Sequence, residues 1–152
     1  MKVLVTGATG YIGGRLVPRL LDAGHEVRCV ARDPGKLRND PWHDRVEVVQ
    51  GDVLDPASLD AALDGCDVAY YLVHSMDGAA EFADRDRTGA TNFREAADRA
   101  ELKRMVYLGG MGSGDDLSEH LSSRHEVGRL LADGTTPVTE LRAAVIIGSG
   151  SA

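Results

Sequence analysis

At 152 residues, with 43% hydrophobic and 27% charged content, the chain has material for one core and is too apolar for wholesale disorder. No apolar run approaches the roughly 20 residues of a membrane span, and a formal net charge of −7 argues against non-specific nucleic-acid affinity. Cys29 and Cys66 have neither metal-ligand nor disulfide spacing. With no secretory pattern ahead of Val3, we expect reduced thiols in a cytoplasmic protein.

In chain order, Val3, Leu4 and Val5 form an apolar strand that enters a turn with glycines at positions 7, 10 and 13. Ile12, Leu16, Leu20 and Leu21 then recur at helical spacing, Gly24 suits the stop, and a second apolar run ends at Ala31-Arg32. Asp33 to Asp44 reads as a polar surface excursion. Val46 to Val49 predicts a third strand leading into Gly51-Asp52-Val53. Asp55-Pro56 looks like an N-cap followed by proline at the first helical position, opening a short helix that Gly65 closes. Val68 to Val73 predicts a fourth strand, nearly all apolar, as when both faces of a parallel sheet are covered. Ala90, Phe93, Ala97 and Ala100 mark a longer helix, Met105 to Leu108 a fifth strand, Leu117 to Leu131 another helix, and Thr139 to Ile147 a sixth strand. This alternation predicts an α/β fold, a Rossmann-type doubly wound parallel sheet with helices on both faces, in one domain over residues 1–152. Its ligand is expected at the carboxyl ends of the strands.

The first turn says what that ligand is. Gly7 permits a tight strand-to-helix reversal, Gly10 lets the backbone approach a pyrophosphate, and Gly13 lets the helix pack close to the sheet. Amide N–H groups at the helix start, with the helix dipole behind them, favour an anionic phosphate. Gly7, Thr9, Gly10, Tyr11, Ile12 and Gly13 are therefore candidate dinucleotide contacts. Folds that prefer NAD place a carboxylate at the end of the second strand, where it would repel a 2′-phosphate. This chain has Ala31 followed by Arg32, with Arg15 just inside the first helix, so NADP(H) is expected over NAD(H) despite the neighbouring Asp33.

These residues also carry a resemblance. TGATGYIG, together with GDVLDP at Gly51 to Pro56, RMVYLGGMG at Arg104 to Gly112 and LRAAVIIGSGS at Leu141 to Ser151, resembles the extended and atypical short-chain dehydrogenase/reductase (SDR) superfamily. The run HLSSRHEVGRLL from His120 to Leu131 is similar to an atypical branch, NmrA-like or related, described only as NAD(P)H-binding. The resemblance implies that Asp52 and Val53 border the adenine and that Leu72, Val73 and His74 line the ribose side. It also implies a catalytic Tyr-x-x-x-Lys pair with a hydroxyl residue at the end of the fifth strand. Here that spacing is occupied by His120 and Arg124, and Gly109-Gly110 stands where the hydroxyl belongs. His120 can donate a proton near neutrality, with a reference pKa of about 6.5. Arg124 can grip a ribose hydroxyl or a phosphate but does not titrate as lysine does.

Other polar residues carry less. His74 and Ser75 follow the fourth strand toward the cleft. His125-Glu126 lacks a second cluster at ligand spacing, so no metal site is expected. Tyr70-Tyr71 reads as strand packing, and Trp42 as either a lid or a surface cover. Extended relatives continue past this point into a substrate-selecting portion, so the sequence reads as the nucleotide-binding part of something longer. Two functions are expected: the NADP(H)-binding domain of an atypical SDR-type oxidoreductase acting on an unidentified small molecule, or a non-catalytic NADP(H)-binding redox sensor or assembly subunit.

Overall fold

A computed structural model describes residues 1–74, 81–112 and 118–149; Ser75, Leu117 and Ser151 lie outside these described residues. Six strands, β1 (Lys2–Thr6), β2 (Glu26–Ala31), β3 (Glu47–Gln50), β4 (Val68–Tyr71), β5 (Arg104–Gly110) and β6 (Val138–Ala143), form one parallel sheet in the order β3-β2-β1-β4-β5-β6. This is the order of doubly wound dinucleotide folds, with its reversal between β1 and β4. The helices are α1 (Tyr11–Asp22), α2 (Pro56–Leu63), α3 (Glu81–Arg99) and α4 (Glu119–Ala132).

Alternation along the strands sorts the core into two layers. Val3 and Val5 of β1, with Val27 and Cys29 of β2, face Val17 and Leu20 of α1. Leu4, Ala69, Tyr71, Met105 and Tyr107 face the other way, toward Leu59 of α2, Phe93 and Ala97 of α3, and Val127 and Leu131 of α4. The Tyr71 ring centroid lies 4.9 Å from that of Phe93, and Tyr70, partly buried, packs against the opposite layer. Cys29 and Cys66 are free, buried thiols. Burial pushes the Cys29 thiol up to about 12, with Asp40 adding to the effect.

Helix ends follow their sequence signals. Asp55 accepts from the Ala57 amide (3.2 Å) to cap α2, and Gly65 and Gly24 take positive φ just beyond α2 and α1. Arg28, buried on β2, closes the other end of α2 by donating to the carbonyls of Ala62 (2.6 Å) and Asp64 (2.9 Å), so cationic charge meets the negative end of the helix dipole.

Four expectations are corrected. The excursion after β2 contains two short 3-10 turns, Pro34–Leu37 and His43–Arg45, and buries Leu37 and Trp42 against the α1-side core. Trp42 is thus a core side chain and no lid. Strand β4 ends at Tyr71 because the Leu72 amide is taken by the Thr6 hydroxyl (2.9 Å), which itself donates to Tyr70 O (3.0 Å). Strand β6 ends at Ala143, four residues early, because its partner β5 stops at Gly110 and leaves nothing to pair with. On the α1 side, the helix packs on β1 and β2, while Leu141 of β6 stays exposed.

Candidate functional site

A cavity of about 980 Å³ opens where the strand order reverses, at the carboxyl ends of β1, β2, β4 and β5. Its middle is the glycine turn. Gly7 takes φ +69°, and a Cβ there would press on the Leu72 carbonyl at 3.0 Å. At Gly13 a Cβ would meet Ala8 Cα at 2.7 Å, so the third glycine is required by the turn's own backbone and not by the sheet. Gly10 is the N-cap of α1 and offers no side chain to its amides. The first-turn N–H groups therefore face the cavity uncapped.

One end of the cavity is cationic. Arg32 leaves β2 there, and Lys36 joins it from the 3-10 turn. Asp33, also in the wall, spends its carboxylate as the N-cap of that turn, accepting from Gly35 N at 2.9 Å. Asp52 and Val53 line the adjoining wall; Asp52 Oδ1 accepts from Leu54 N (3.0 Å), and Asn92 on α3 donates to Val53 O (3.0 Å). These bonds hold the loop after β3 in place.

The opposite end gathers Leu72, Val73 and His74 after β4, Phe82, Arg85 and Asp86 of α3, Tyr107 and Leu108 of β5, and Arg124 of α4. Arg124 Nη2 donates to Leu108 O (3.0 Å), while its Nε is buried without a hydrogen-bond partner. The Tyr107 hydroxyl donates to Arg124 O (2.9 Å), and burial pushes its pKa up to about 12, so it remains protonated. Ser123 donates to the buried Asp86 carboxylate at 3.3 Å. Burial, then the Arg124 charge, holds the His74 imidazole below its ordinary value and favours the neutral ring.

The cavity thus brings together Gly7, Thr9, Gly10, Tyr11, Ile12, Gly13, Arg32, Asp52, Val53, Leu72, Val73, His74 and Arg124. Two candidates stand outside its lining. Arg15 donates to the Ser149 carbonyl and lays its guanidinium over the Tyr11 ring, 3.9 Å from the centroid. His120 is exposed and stacks on Phe82, with ring centroids 4.7 Å apart and planes inclined by 20°. His125 approaches Gly110 O at 3.2 Å and Glu126 pairs with Arg87 at 2.9 Å; no metal-holding group occurs among the described residues. Lys36, Phe82, Asp86 and Tyr107 went unremarked in the sequence. Only Lys36, four residues beyond Arg32, carried a local signal.

A parallel sheet with a glycine turn, uncapped helix amides and a cationic cleft end defines a dinucleotide-binding α/β domain. The chain belongs to the NAD(P)H-binding family, whose model matches residues 7–144. It is 39% identical over 116 residues to the 3 beta-hydroxysteroid dehydrogenase/Delta 5→4-isomerase of Mycobacterium tuberculosis, covering 70% of this chain and 30% of that protein. It is 32% identical over 117 residues to cinnamoyl-CoA reductase 1 of Oryza sativa subsp. japonica, covering 73% of this chain and 35% of the relative. The matched part of the chain therefore spans about a third of the length of these curated relatives. Among solved structures, triphenylmethane reductase of Citrobacter sp., complexed with NADP(H), superposes with a TM-score of 0.79 at 24% identity, over 95% of this chain and 50% of that one. A nucleoside-diphosphate-sugar epimerase from Staphylococcus aureus gives 0.79 at 22% identity, over 93% and 50%. The resemblance to SDR-type oxidoreductases is borne out. No described helix is long and apolar enough to cross a membrane.

Proposed function

We propose that this chain is the NADP(H)-binding domain of an atypical SDR-type oxidoreductase and prefers NADP(H) to NAD(H). The observation that carries the preference is the cationic end of the cavity. Arg32 and Lys36 both line it, and the nearby Asp33 carboxylate is turned to the Gly35 amide as a cap. Two cations suit a 2′-phosphate. In this reading the amides from Thr9 to Gly13 hold the pyrophosphate, Asp52 and Val53 border the adenine, and Leu72, Val73 and His74 flank the nicotinamide-side ribose. Arg124 reaches a ribose hydroxyl from α4. The dinucleotide supplies or accepts hydride when bound; the chain's own residues bind and orient it. Substrate and activity belong to the whole protein; the relatives are about twice the length of this chain.

A second reading, a non-catalytic NADP(H)-binding sensor or assembly subunit, is favoured by two observations. His120 lies outside the cavity lining, and Gly109-Gly110 puts no hydroxyl at the end of β5.

Fluorescence titration with NADPH and NADH tests the binding claim. Arg32→Ala is expected to cost about 1 to 3 kcal/mol of NADPH binding and little of NADH. An unchanged NADPH:NADH ratio would remove Arg32 from the 2′-phosphate site. With the whole protein, 4-deuterated NADPH and a panel of ketones, enones and quinones separate the two readings. Deuterium transfer supports the oxidoreductase, and tight binding without transfer supports the module.

A further inference from the structure

Beyond Ala143 the chain leaves the sheet and runs, through residues 144–149 without regular secondary structure, to the start of α1 beside the glycine turn. Its side chains alternate in their exposure. Ile146 lines the dinucleotide cavity and is 40% exposed, whereas Val145 and Ile147 on either side are 84% and 85% exposed. The segment meets α1 at two places. The Arg15 guanidinium donates to the Ser149 carbonyl, and the Tyr11 hydroxyl packs so closely on Gly148 that any Cβ there would collide with it. Arg15 also lies flat on the Tyr11 ring at 3.9 Å, which joins the two contacts into one unit. A planar, delocalised cation suits this geometry; an ammonium does not.

The placement answers a question raised by the sequence. Arg15 is near enough to the phosphate turn to be read as a phosphate-binding cation, but its donors are turned to the backbone of this segment. Resting on the dinucleotide reading, we propose that Arg15 is a positioning residue, a latch that holds residues 144–149 beside the glycine turn and keeps Ile146 against the cavity. The latch governs how fast the dinucleotide enters and leaves. It does not add charge to the phosphate subsite. Residues 144–149 belong to no helix or strand, and Arg15 holds them by a backbone carbonyl, so releasing that bond unfolds neither.

Stopped-flow NADPH fluorescence on this chain tests the proposal, with Arg15→Ala, Gly148→Ala and the double variant. Arg15→Ala is expected to raise the dissociation rate about tenfold, the equivalent of one charge-assisted hydrogen bond. Its association rate should be equal or higher, with an unchanged salt dependence. Gly148→Ala puts a methyl where the Tyr11 hydroxyl sits and should have a similar effect. The double variant should be no worse than either single one, because each releases the same segment. Arg15→Lys should not restore slow release. Hydrogen exchange at amides 146–149 should accelerate in Arg15→Ala while β1 and α1 keep their protection, a readout independent of ligand.

Multiplicative effects of the two substitutions, or a slower association with a weaker salt dependence, would overturn the latch and return Arg15 to the phosphate subsite. If the unmodified chain binds no NADPH, the dinucleotide reading falls. Unchanged exchange at 146–149 would sink the latch whatever happens to that reading.

Discussion

The two ends of the cavity are built from different materials. Around the glycine turn, recognition is a property of the backbone: the positive φ of Gly7, the missing Cβ of Gly13, and first-turn amides with no side-chain cap. At the β5–α4 end it depends on side chains that already serve the fold. Arg124 holds Leu108 O, Tyr107 holds Arg124 O, and Ser123 holds Asp86. A backbone site has few ways to vary and still exist. A side-chain site can change its chemistry while its scaffold persists, as His120 and Arg124 at the spacing of the superfamily's Tyr and Lys show. Binding and catalysis can therefore separate within one cleft.

The sharpest way to break this contrast is Gly13→Val. A β-branched side chain here must push Ala8 or the Gly7 carbonyl aside, with no flexible neighbour to yield. We expect a loss of about 3 kcal/mol, a melting temperature lower by roughly 6 to 12 °C, and no measurable NADPH binding. Gly10→Ala is the internal control, since its added Cβ meets only the Gly7 carbonyl, at 3.3 Å. It should melt close to the unmodified chain yet bind NADPH about tenfold more weakly, because only a ligand occupies that space. Calorimetry and titration read both. Wild-type affinity in Gly10→Ala would mean that the pyrophosphate lies elsewhere.

At the other end, Arg124→Ala and His120→Ala should part company. Arg124 lines the cavity with a buried, unbonded Nε, so its removal should weaken NADPH binding by about 1.5 to 3 kcal/mol, as for a hydrogen bond to a charged group. His120 gives up one exposed ring contact with Phe82, and its loss should change affinity less than about twofold. Equilibrium titration decides. A larger effect from His120 would restore it to the site.

The difference between the ends also explains what the sequence could show. Strand β1, the turn, α1 and β2 are local: the apolar period, the glycine spacing and the stop at Gly24 lie within one contiguous stretch, and each feature determines its own neighbourhood. The cap at Asp55 was legible for the same reason. Of the dinucleotide candidates read from the turn and the strand ends, only Arg15 lies outside the cavity lining, because its partner is Ser149, 134 residues away. Trp42 was ambiguous because its core neighbours are Val3, Val17 and Leu37 from separate elements. Asp86 and Tyr107 escaped notice because only the packing of α3 against α4, and of α4 on β5, brings them to the cleft. The early end of β6 depended on where β5 stopped, which no pattern within β6 records.

Acid pH sets a region fastened by a carboxylate against the backbone-built turn. Asp98, half-buried near the end of α3, accepts the amides of Thr135 (3.1 Å) and Thr136 (2.8 Å) and so fastens the α4–β6 connection to α3. Burial pushes its carboxyl pKa up, but the hydrogen bonds from Thr136 and Thr135 outweigh burial and leave it below the ordinary 3.8. The ionised form is thus favoured by folding. Its contribution is complete above the unfolded value near 3.8 and is lost as pH falls through the lower folded value. Acidification through that window should loosen the α4–β6 connection ahead of the glycine turn, which has no titrating group among Gly7, Gly10 and Gly13. Asp98→Asn keeps one acceptor and removes the charge, so it should cost about 1 kcal/mol at neutral pH and flatten this part of the acid profile. Hydrogen exchange at Thr135 and Thr136, compared with amides of β1 between pH 5 and pH 3 (about the span of a carboxylate titration), measures the difference. Equal loss of protection in both regions would show that the α4–β6 connection, which lies away from the cleft, and the strand leading into the glycine turn open as one unit.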